Sequence, residues 1–154
     1  MFICTGNICR SPLAHAVMEH KAGEAGLEGW MDVESSGTGP WHVGEQADSR
    51  MRRTAAEHGV RLDHRSRQLR PDDFSKYDLL LAMDRDNFRD ALSLCRNEAE
   101  REKLRMFRDY DPQGTGDVPD PWYGGPDGFE EVWTIVERTC GALLNEVRSG
   151  LESA

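Results

Sequence analysis

The chain lacks any long apolar run. Its longest, Leu79-Leu80-Leu81-Ala82-Met83, falls far short of the ~20 residues a membrane-spanning helix needs. No basic and apolar leader pattern precedes the first cysteine, so neither a targeting segment nor a membrane partner is expected. Basic residues are in deficit: 19 Lys and Arg stand against 28 Asp and Glu, a formal charge of −9. That balance argues against a nucleic-acid or anionic-membrane binder, both of which need a basic face. Cysteine is sparse and scattered, at Cys4, Cys9, Cys95 and Cys140, which suits a reducing cytoplasm better than a disulfide scaffold. The five histidines (His15, His20, His42, His58 and His64) form no H-E-x-x-H and have no C-x-x-C partner. Neither a metal nor a cofactor is therefore expected. His15, His20 and His58 read as surface helix residues, and His42, beside Trp41, as a rim or ordinary loop residue. At 154 residues the chain is one domain, 1–154, long enough to bury roughly 70 % of the surface its unfolded form exposes without metal or disulfide staples.

What the chain does have lies at its start. Cys4-Thr5-Gly6-Asn7-Ile8-Cys9-Arg10-Ser11 follows an apolar stub, Phe2-Ile3, and precedes Pro12 and a helical pattern. A loop that leaves a strand and enters a helix can point several backbone N–H groups into one concavity beside the positive end of the helix dipole. Such a nest binds a tetrahedral oxyanion. Arg10 adds a planar fork for two of its oxygens. The same field favours a thiolate at Cys4, directly beneath the anion. An isolated cysteine would read as a small buried hydrophobe; the five-residue gap to Arg10, with Gly and Asn inside it, tips the reading toward chemistry. Only three residues precede this cysteine, a short strand for such a loop.

Along the chain, residues 12–26 read as a helix, with Pro12 in its first turn and Gly26 near its end. Residues 31–36 alternate as a strand does, and Gly37-Thr38-Gly39-Pro40 stops it. Asp48 to His58 is a second helix with an Asp48 or Ser49 N-cap and a Gly59 C-cap. Residues 71–74 suggest one helical turn, 79–83 a strand covered on both faces, Asp84 to Leu94 a helix and 104–107 a last strand. Residues 109–127, rich in Asp, Gly and Pro, form a long loop of the functional kind. Phe129, Val132, Trp133, Val136, Cys140, Leu143, Leu144 and Val147 keep helical steps in the final segment. Alternating strands and helices imply a parallel sheet wrapped on both faces, with ligands at the carboxyl ends of its strands. Asp84 either caps its helix or orients Arg10 as a neighbouring carboxylate.

Three pieces together, CTGNICRSP at Cys4–Pro12, Asp84 after Ala82-Met83, and Asp120-Pro121-Trp122-Tyr123, closely resemble the low-molecular-weight protein tyrosine phosphatases. The resemblance spans essentially the whole chain. It implies a three-layer α/β/α fold with a four-stranded parallel sheet in the order 2-1-3-4. It makes Cys4 the nucleophile, Arg10 the phosphate clamp and Asp120 the general acid. Thr5, Gly6, Asn7, Ile8, Cys9 and Arg10 would supply backbone amides. Asn7 and Ser11, supported by Ser35 and His64, would hold the loop in shape, and Ser11 would donate to the thiolate. Trp41, Trp122 and Tyr123 would wall a slot for a phenyl ring. The partners implied are a phosphotyrosine protein or a small aryl phosphate, with phosphate- and vanadate-like oxyanions as inhibitors. To act as an acid near neutrality Asp120 must hold its proton, and Pro121 and Trp122 could desolvate it. Cys9 suggests a second role, capturing oxidised Cys4 as a disulfide.

Three related readings remain. Bacterial arginine phosphatases share the loop but usually carry Thr where this chain has Ile8. Thioredoxin-coupled arsenate reductases need a late pair of resolving cysteines, whereas here Cys95 stands alone and Cys140 falls on an apolar helix face. An inactive phosphate-binding module would not need nucleophile, clamp and acid together. Asp109, Asp111, Gln113, Gly114 and Asp120 fall at calcium-loop positions, but Pro112 interrupts the loop and position 12 lacks its bidentate Glu. Tyr123 could itself accept a phosphoryl group.

Overall fold

The computed structural model describes residues 1–153, and all their side chains except those of Tyr123, Pro126, Glu152 and Ser153. Four strands of three residues each, β1 (Phe2–Cys4), β2 (Ser35–Gly37), β3 (Leu80–Ala82) and β4 (Leu104–Met106), form one parallel sheet in the order β2-β1-β3-β4. The expected order is met. β1 is no shorter than its neighbours, and its central position lets ladders on both edges hold it.

Alternation along the strands divides the core. Phe2, Cys4, Leu81 and Met83 face one layer, where α1 (Arg10–Glu24), α2 (Ser49–Glu57) and the long α6 (Pro126–Ser153) pack with Leu13, Val17, Met51, Val132 and Val136. Ile3, Leu80 and Leu104 face the other, packing with Phe74 and Tyr77 around α3 (Asp73–Lys76) and with Ala91 of α4 (Arg85–Leu92). The apolar run 79–83 is thus covered on both sides, as a central parallel strand must be. Among the described residues no helix is long and apolar enough to cross a membrane.

Several boundaries differ from expectation. α1 begins at Arg10 rather than Pro12, so Pro12 sits in the first turn, where its missing N–H costs nothing. β2 covers only Ser35–Gly37, because β1 offers just three partners: Phe2 against Ser35, Ile3 against Ser36, Cys4 against Gly37. The alternating Met31 and Val33 instead lean half-buried on the first core layer. A helix absent from the expectation, α5 (Glu98–Lys103), is capped by Asn97 Oδ1 accepting from the Glu100 amide at 2.9 Å. The single turn expected at 71–74 falls at Asp73–Lys76. The loop after β4 contains two short 3-10 turns, Phe107–Tyr110 and Pro121–Tyr123.

This topology sets the site. The strand order reverses at β1, with β2 laid on one side of it and β3 on the other. The carboxyl ends of β1 and β3 carry Cys4 and, one residue past Met83, Asp84. Ligand crevices in open α/β sheets form at such switch points.

Candidate active site

The loop from Cys4 to Cys9 is shaped from outside. The carbonyls of Cys4 and Thr5 accept from the amides of Thr38 (2.9 Å) and Gly39 (3.0 Å), that of Ile8 from the Asp48 amide (2.8 Å), and that of Asn7 from Ser66 Oγ (2.5 Å). In a trans peptide the C=O and the following N–H point in opposite directions. The amides of Gly6, Ile8 and Cys9 therefore face away from these tethers, into the concavity at the start of α1. Gly37 makes the close approach possible: a Cβ there would stand 2.7 Å from the Thr5 carbonyl oxygen.

Asn7 is the hinge of the curl. It is the one non-glycine residue with positive φ (56°) among the described residues, a conformation asparagine tolerates better than most. Its buried side chain uses every valence that matters. Nδ2 donates to Ser11 Oγ (2.7 Å) and Ser35 Oγ (3.1 Å); Oδ1 accepts from His64 Nε2 (2.8 Å) and the Arg67 amide (3.0 Å). Because Oδ1 can only accept, His64 carries its proton on Nε2. Burial, reinforced by His15, lowers the His64 pKa to about 4, so the ring is neutral at pH 7. Ser11 Oγ, already receiving a proton from Asn7, lies 2.9 Å from Cys4 Sγ and 3.4 Å from the Ser36 carbonyl, the two acceptors its own hydroxyl proton can reach.

Arg10, in the first turn of α1, is almost wholly buried. Nη1 meets Asp84 Oδ2 at 2.6 Å and donates to the Val118 carbonyl at 3.0 Å; Nη2 lies 3.5 Å from Thr5 Oγ1 and 3.6 Å from Asp120 Oδ2. Burial alone would weaken its hold on the proton, but the Cys4 sulfur, then Asp84 and Asp120, outweigh it and raise the pKa above the ordinary value. Asp84 makes two contacts at once: Oδ2 takes Arg10 while Oδ1 caps α4 by accepting from the Asn87 amide at 2.7 Å.

Asp120 opens the second 3-10 turn, its Oδ1 accepting from the Trp122 amide at 3.0 Å. Its side chain is 37 % exposed, so the desolvation expected from Pro121 and Trp122 is only partial. Cys4, Thr5, Gly6, Ile8, Cys9 and Arg10 line one side of a cavity of about 330 Å³; Trp41, His42, Asp120 and Trp122 line the other. Trp41 is 71 % exposed and lies over Gly39, where any Cβ would run into the indole. Trp122 is braced by the Arg50 guanidinium, 5.2 Å from its ring centroid. His42 completes the rim, its ring 5.9 Å from that of Trp122 and its Nδ1 2.6 Å from Glu45 Oε2. Tyr123 was expected in this wall; its side chain lies outside the described residues. Cys9 shares the cavity, and burial, then Asp48, Cys4 and Asp120, push its thiol well above the ordinary value. A wider groove of about 550 Å³ runs along residues 59–64 but holds no nucleophile.

Sequence reasoning missed two contributors. Asn87 bridges Asp84 and Thr5: the amide orientation donating to Asp84 Oδ1 (3.0 Å) and accepting from Thr5 Oγ1 (2.9 Å) satisfies all partners. Its signal was its position three residues after the capping aspartate. His15, expected on the surface, is only 13 % exposed and places Nδ1 3.2 Å from Ser35 Oγ. It follows Ser11 by four residues, hence shares the face of α1 that looks onto the loop network. Cys140 is buried against the Ala14 carbonyl, as its apolar helix face suggested. Asp111 is no calcium ligand here: it takes Arg108 (2.9 Å) and both Nε and Nη2 of Arg138 (2.9 Å each).

Fold and site together define a doubly wound α/β protein built around an oxyanion cradle with a cysteine at its base. The family model described as low molecular weight phosphotyrosine protein phosphatase matches residues 1–153. The chain belongs to that family, whose members are enzymes. A Streptomyces coelicolor protein named low molecular weight protein-tyrosine-phosphatase is 46 % identical over 154 residues, covering 98 % of this chain and 94 % of its own. A protein tyrosine phosphatase from Entamoeba histolytica, solved with Hepes in the active site, superposes with a TM-score of 0.93 at 39 % identity, covering 97 % and 96 % of the two chains. The YwlE arginine phosphatase, solved as a cysteine-to-serine mutant with a phosphorylated active-site serine, gives 0.84 at 28 % identity over 96 % and 93 %.

Proposed function

We propose that this chain, residues 1–154 acting as one cytoplasmic phosphatase domain, hydrolyses phosphotyrosine monoesters through a cysteinyl-phosphate intermediate. The observation that carries the reading is the meeting of Cys4, Arg10 and Asp120 in one cavity walled by Trp41 and Trp122. The substrate phosphate sits in the loop amides with its oxygens on Arg10. The Cys4 thiolate, receiving the Ser11 hydroxyl proton as a hydrogen bond, attacks phosphorus in line, and the bond to the phenolic oxygen breaks. Asp120, as the general acid, gives its proton to the leaving phenolate. In the second step water attacks phosphorus and gives a proton back to Asp120. The S–P bond breaks, and inorganic phosphate and the thiolate result. Acid catalysis and charge stabilisation would each supply about 10²–10⁴ in rate.

Asp84 and Asn87 act through Arg10 and Thr5, setting the clamp rather than touching the phosphoryl group. Ser35 and His64 act through Asn7. The indoles favour a flat aryl ring, and Ile8 presents an apolar rim to it. The likeness to an arginine phosphatase makes phosphoarginine the second reading. An arsenate reductase has less support, because Cys140 is buried and Cys95 has no cysteine partner among the described residues. The test compares kcat/KM for phosphotyrosine, phosphoserine and phosphoarginine peptides, with vanadate as inhibitor. Phosphotyrosine should lead by at least about tenfold, the yield of 1.4 kcal/mol of differential binding; a lead for phosphoarginine overturns the substrate assignment. Cys4→Ser should abolish turnover yet keep binding phosphate, whereas a module without catalysis would show no turnover to lose.

A further inference from the structure

Behind the anion loop, on the side away from the catalytic cavity, three side chains from distant parts of the chain converge. His15 comes from α1, Glu34 from the segment leading into β2, and His64 from the loop after α2. One ligating atom of each lies within 4.8 Å of the others. His15 Nδ1 stands 3.7 Å from Glu34 Oε1, and the two imidazoles meet edge to face at 5.2 Å. His15 Nδ1 and His64 Nε2 both point at Ser35 Oγ, each 3.2 Å away. The outer nitrogen of His15 is already held: Nε2 lies 2.6 Å from Glu19 Oε1. A carboxylate on the far nitrogen fixes the tautomer and raises the basicity of the inner one, the arrangement that metal-ligating histidines use. The two histidines open onto a groove of about 460 Å³ whose other polar lining is Glu19, His20, Asp63 and Arg61, the last paired with Asp63 at 3.5 Å.

We propose that His15 Nδ1, His64 Nε2 and a Glu34 carboxylate oxygen bind a divalent transition-metal ion of the zinc class, and that the ion restrains the enzyme through Asn7. Two imidazoles and one carboxylate select such ions over calcium or magnesium, which want oxygen ligands alone. They leave a fourth tetrahedral position for water. Ligand atoms on a tetrahedral ion stand about 3.3 Å apart, so the cluster must draw in by about an ångström. His15 Nδ1 and Glu34 Oε1 already stand 3.7 Å apart, so the movement falls on His64, whose ring must turn away from Ser35 Oγ and Asn7 Oδ1 to reach the ion. When His64 Nε2 takes the metal, the ring carries its proton on Nδ1 instead, and no net proton is released. Asn7 Oδ1 then loses its 2.8 Å donor, and the residue that holds the loop in its left-handed turn is loosened.

The test separates binding from turnover. In a Cys4→Ser background, which removes the active-site thiolate as a competing ligand, Co²⁺ is titrated and its visible spectrum recorded. Tetrahedral d–d bands at one equivalent per chain, with no sulfur-to-metal charge transfer, are expected. Glu34→Gln, which keeps the hydrogen bond from the Ser35 amide, and His15→Ala should each weaken binding at least tenfold. A sulfur band, or binding that neither variant changes, overturns the site; so does no binding at millimolar Co²⁺. In the intact protein Zn²⁺ should lower kcat while leaving KM for an aryl phosphate unchanged, and Glu34→Gln should shift this inhibition about tenfold to higher Zn²⁺. Inhibition that raises KM instead, or that Glu34→Gln does not shift, refutes the coupling through Asn7. The Co²⁺ titration needs no turnover, so it can fail without touching the phosphatase reading, and the reverse.

Discussion

Replacing Asn7 separates two contributions that the wild-type residue combines. Its side chain makes four hydrogen bonds, to Ser11, Ser35, His64 and the Arg67 amide. Each is worth about 1 kcal/mol net, and buried partners left unpaired cost more. Water can reach the partly buried His64 and recover part of this, so loss of the side chain should cost about 3 kcal/mol. The backbone adds its own term, because φ of 56° burdens an ordinary side chain by about 1–2 kcal/mol and glycine by nothing. Asn7→Gly should thus lose about 3.5–4 kcal/mol, the side-chain loss plus glycine's greater unfolded entropy of about 0.5–1 kcal/mol. Asn7→Ala should fall about 0.5–1 kcal/mol below Asn7→Gly. Urea melts of the three proteins measure these differences, and para-nitrophenyl phosphate turnover measures the loop. A displacement near 1 Å costs on the order of 10² in rate, so both variants should lose about that factor. Two outcomes would refute the reasoning: alanine more stable than glycine at this position, or either variant within 0.5 kcal/mol of wild type.

Asp120→Asn should slow esters with poor leaving groups by about 10²–10⁴ and leave those with good ones nearly unchanged; a Brønsted plot over substituted phenyl phosphates shows which, and equal losses across the series would remove Asp120 as the acid. Cys9→Ser should turn peroxide inactivation from thiol-reversible to irreversible: Cys4 sulfenic acid and the Cys9 thiol otherwise condense to a disulfide and water, and dithiothreitol recovery assays distinguish the two. Asp111, its pKa pulled down to about 2 by Arg138, Gln113 and Arg108 against the opposing effect of burial, lies below the unfolded value of about 3.9. Its contribution to stability is complete above about pH 4 and fades as pH falls toward 2; Asp111→Asn should lose stability at pH 7 and flatten that part of the acid melt curve.

The loop was legible because its chemistry is local. A Gly, an Asn and an Arg at fixed steps after a cysteine say where the chain must curl and what it must hold. The last helix was legible for a similar reason, since Phe129 to Val147 repeat at helical steps along the chain. What escaped the sequence reading was decided by pairing across distance. Residues 31–34 alternate as a strand does, yet β1 gives them nothing to pair with. α5 has only six residues and lives on an Asn97 cap. His15 looked solvent-facing until α1 was found to begin at Arg10, which carries His15 onto the face of Ser11. The His15, Glu34 and His64 cluster has no sequence spacing at all; three separate segments bring it together.

The tethers on the outside of the anion loop have a consequence for folding. The residues that hold it, Thr38, Gly39, Asp48, Ser66 and Arg67, enter the structure only after β2 and the segment behind α2 have docked. Contacts of such long sequence separation require the loops between them to be closed first, at an entropic cost. A partly folded chain with β1 and α1 in place would therefore have the cysteine and the arginine but no cradle between them. Catalytic competence becomes a property of the cooperative whole, so the active fraction should track the folded fraction through a denaturant transition. This enzyme would then have no half-active intermediate to leave behind.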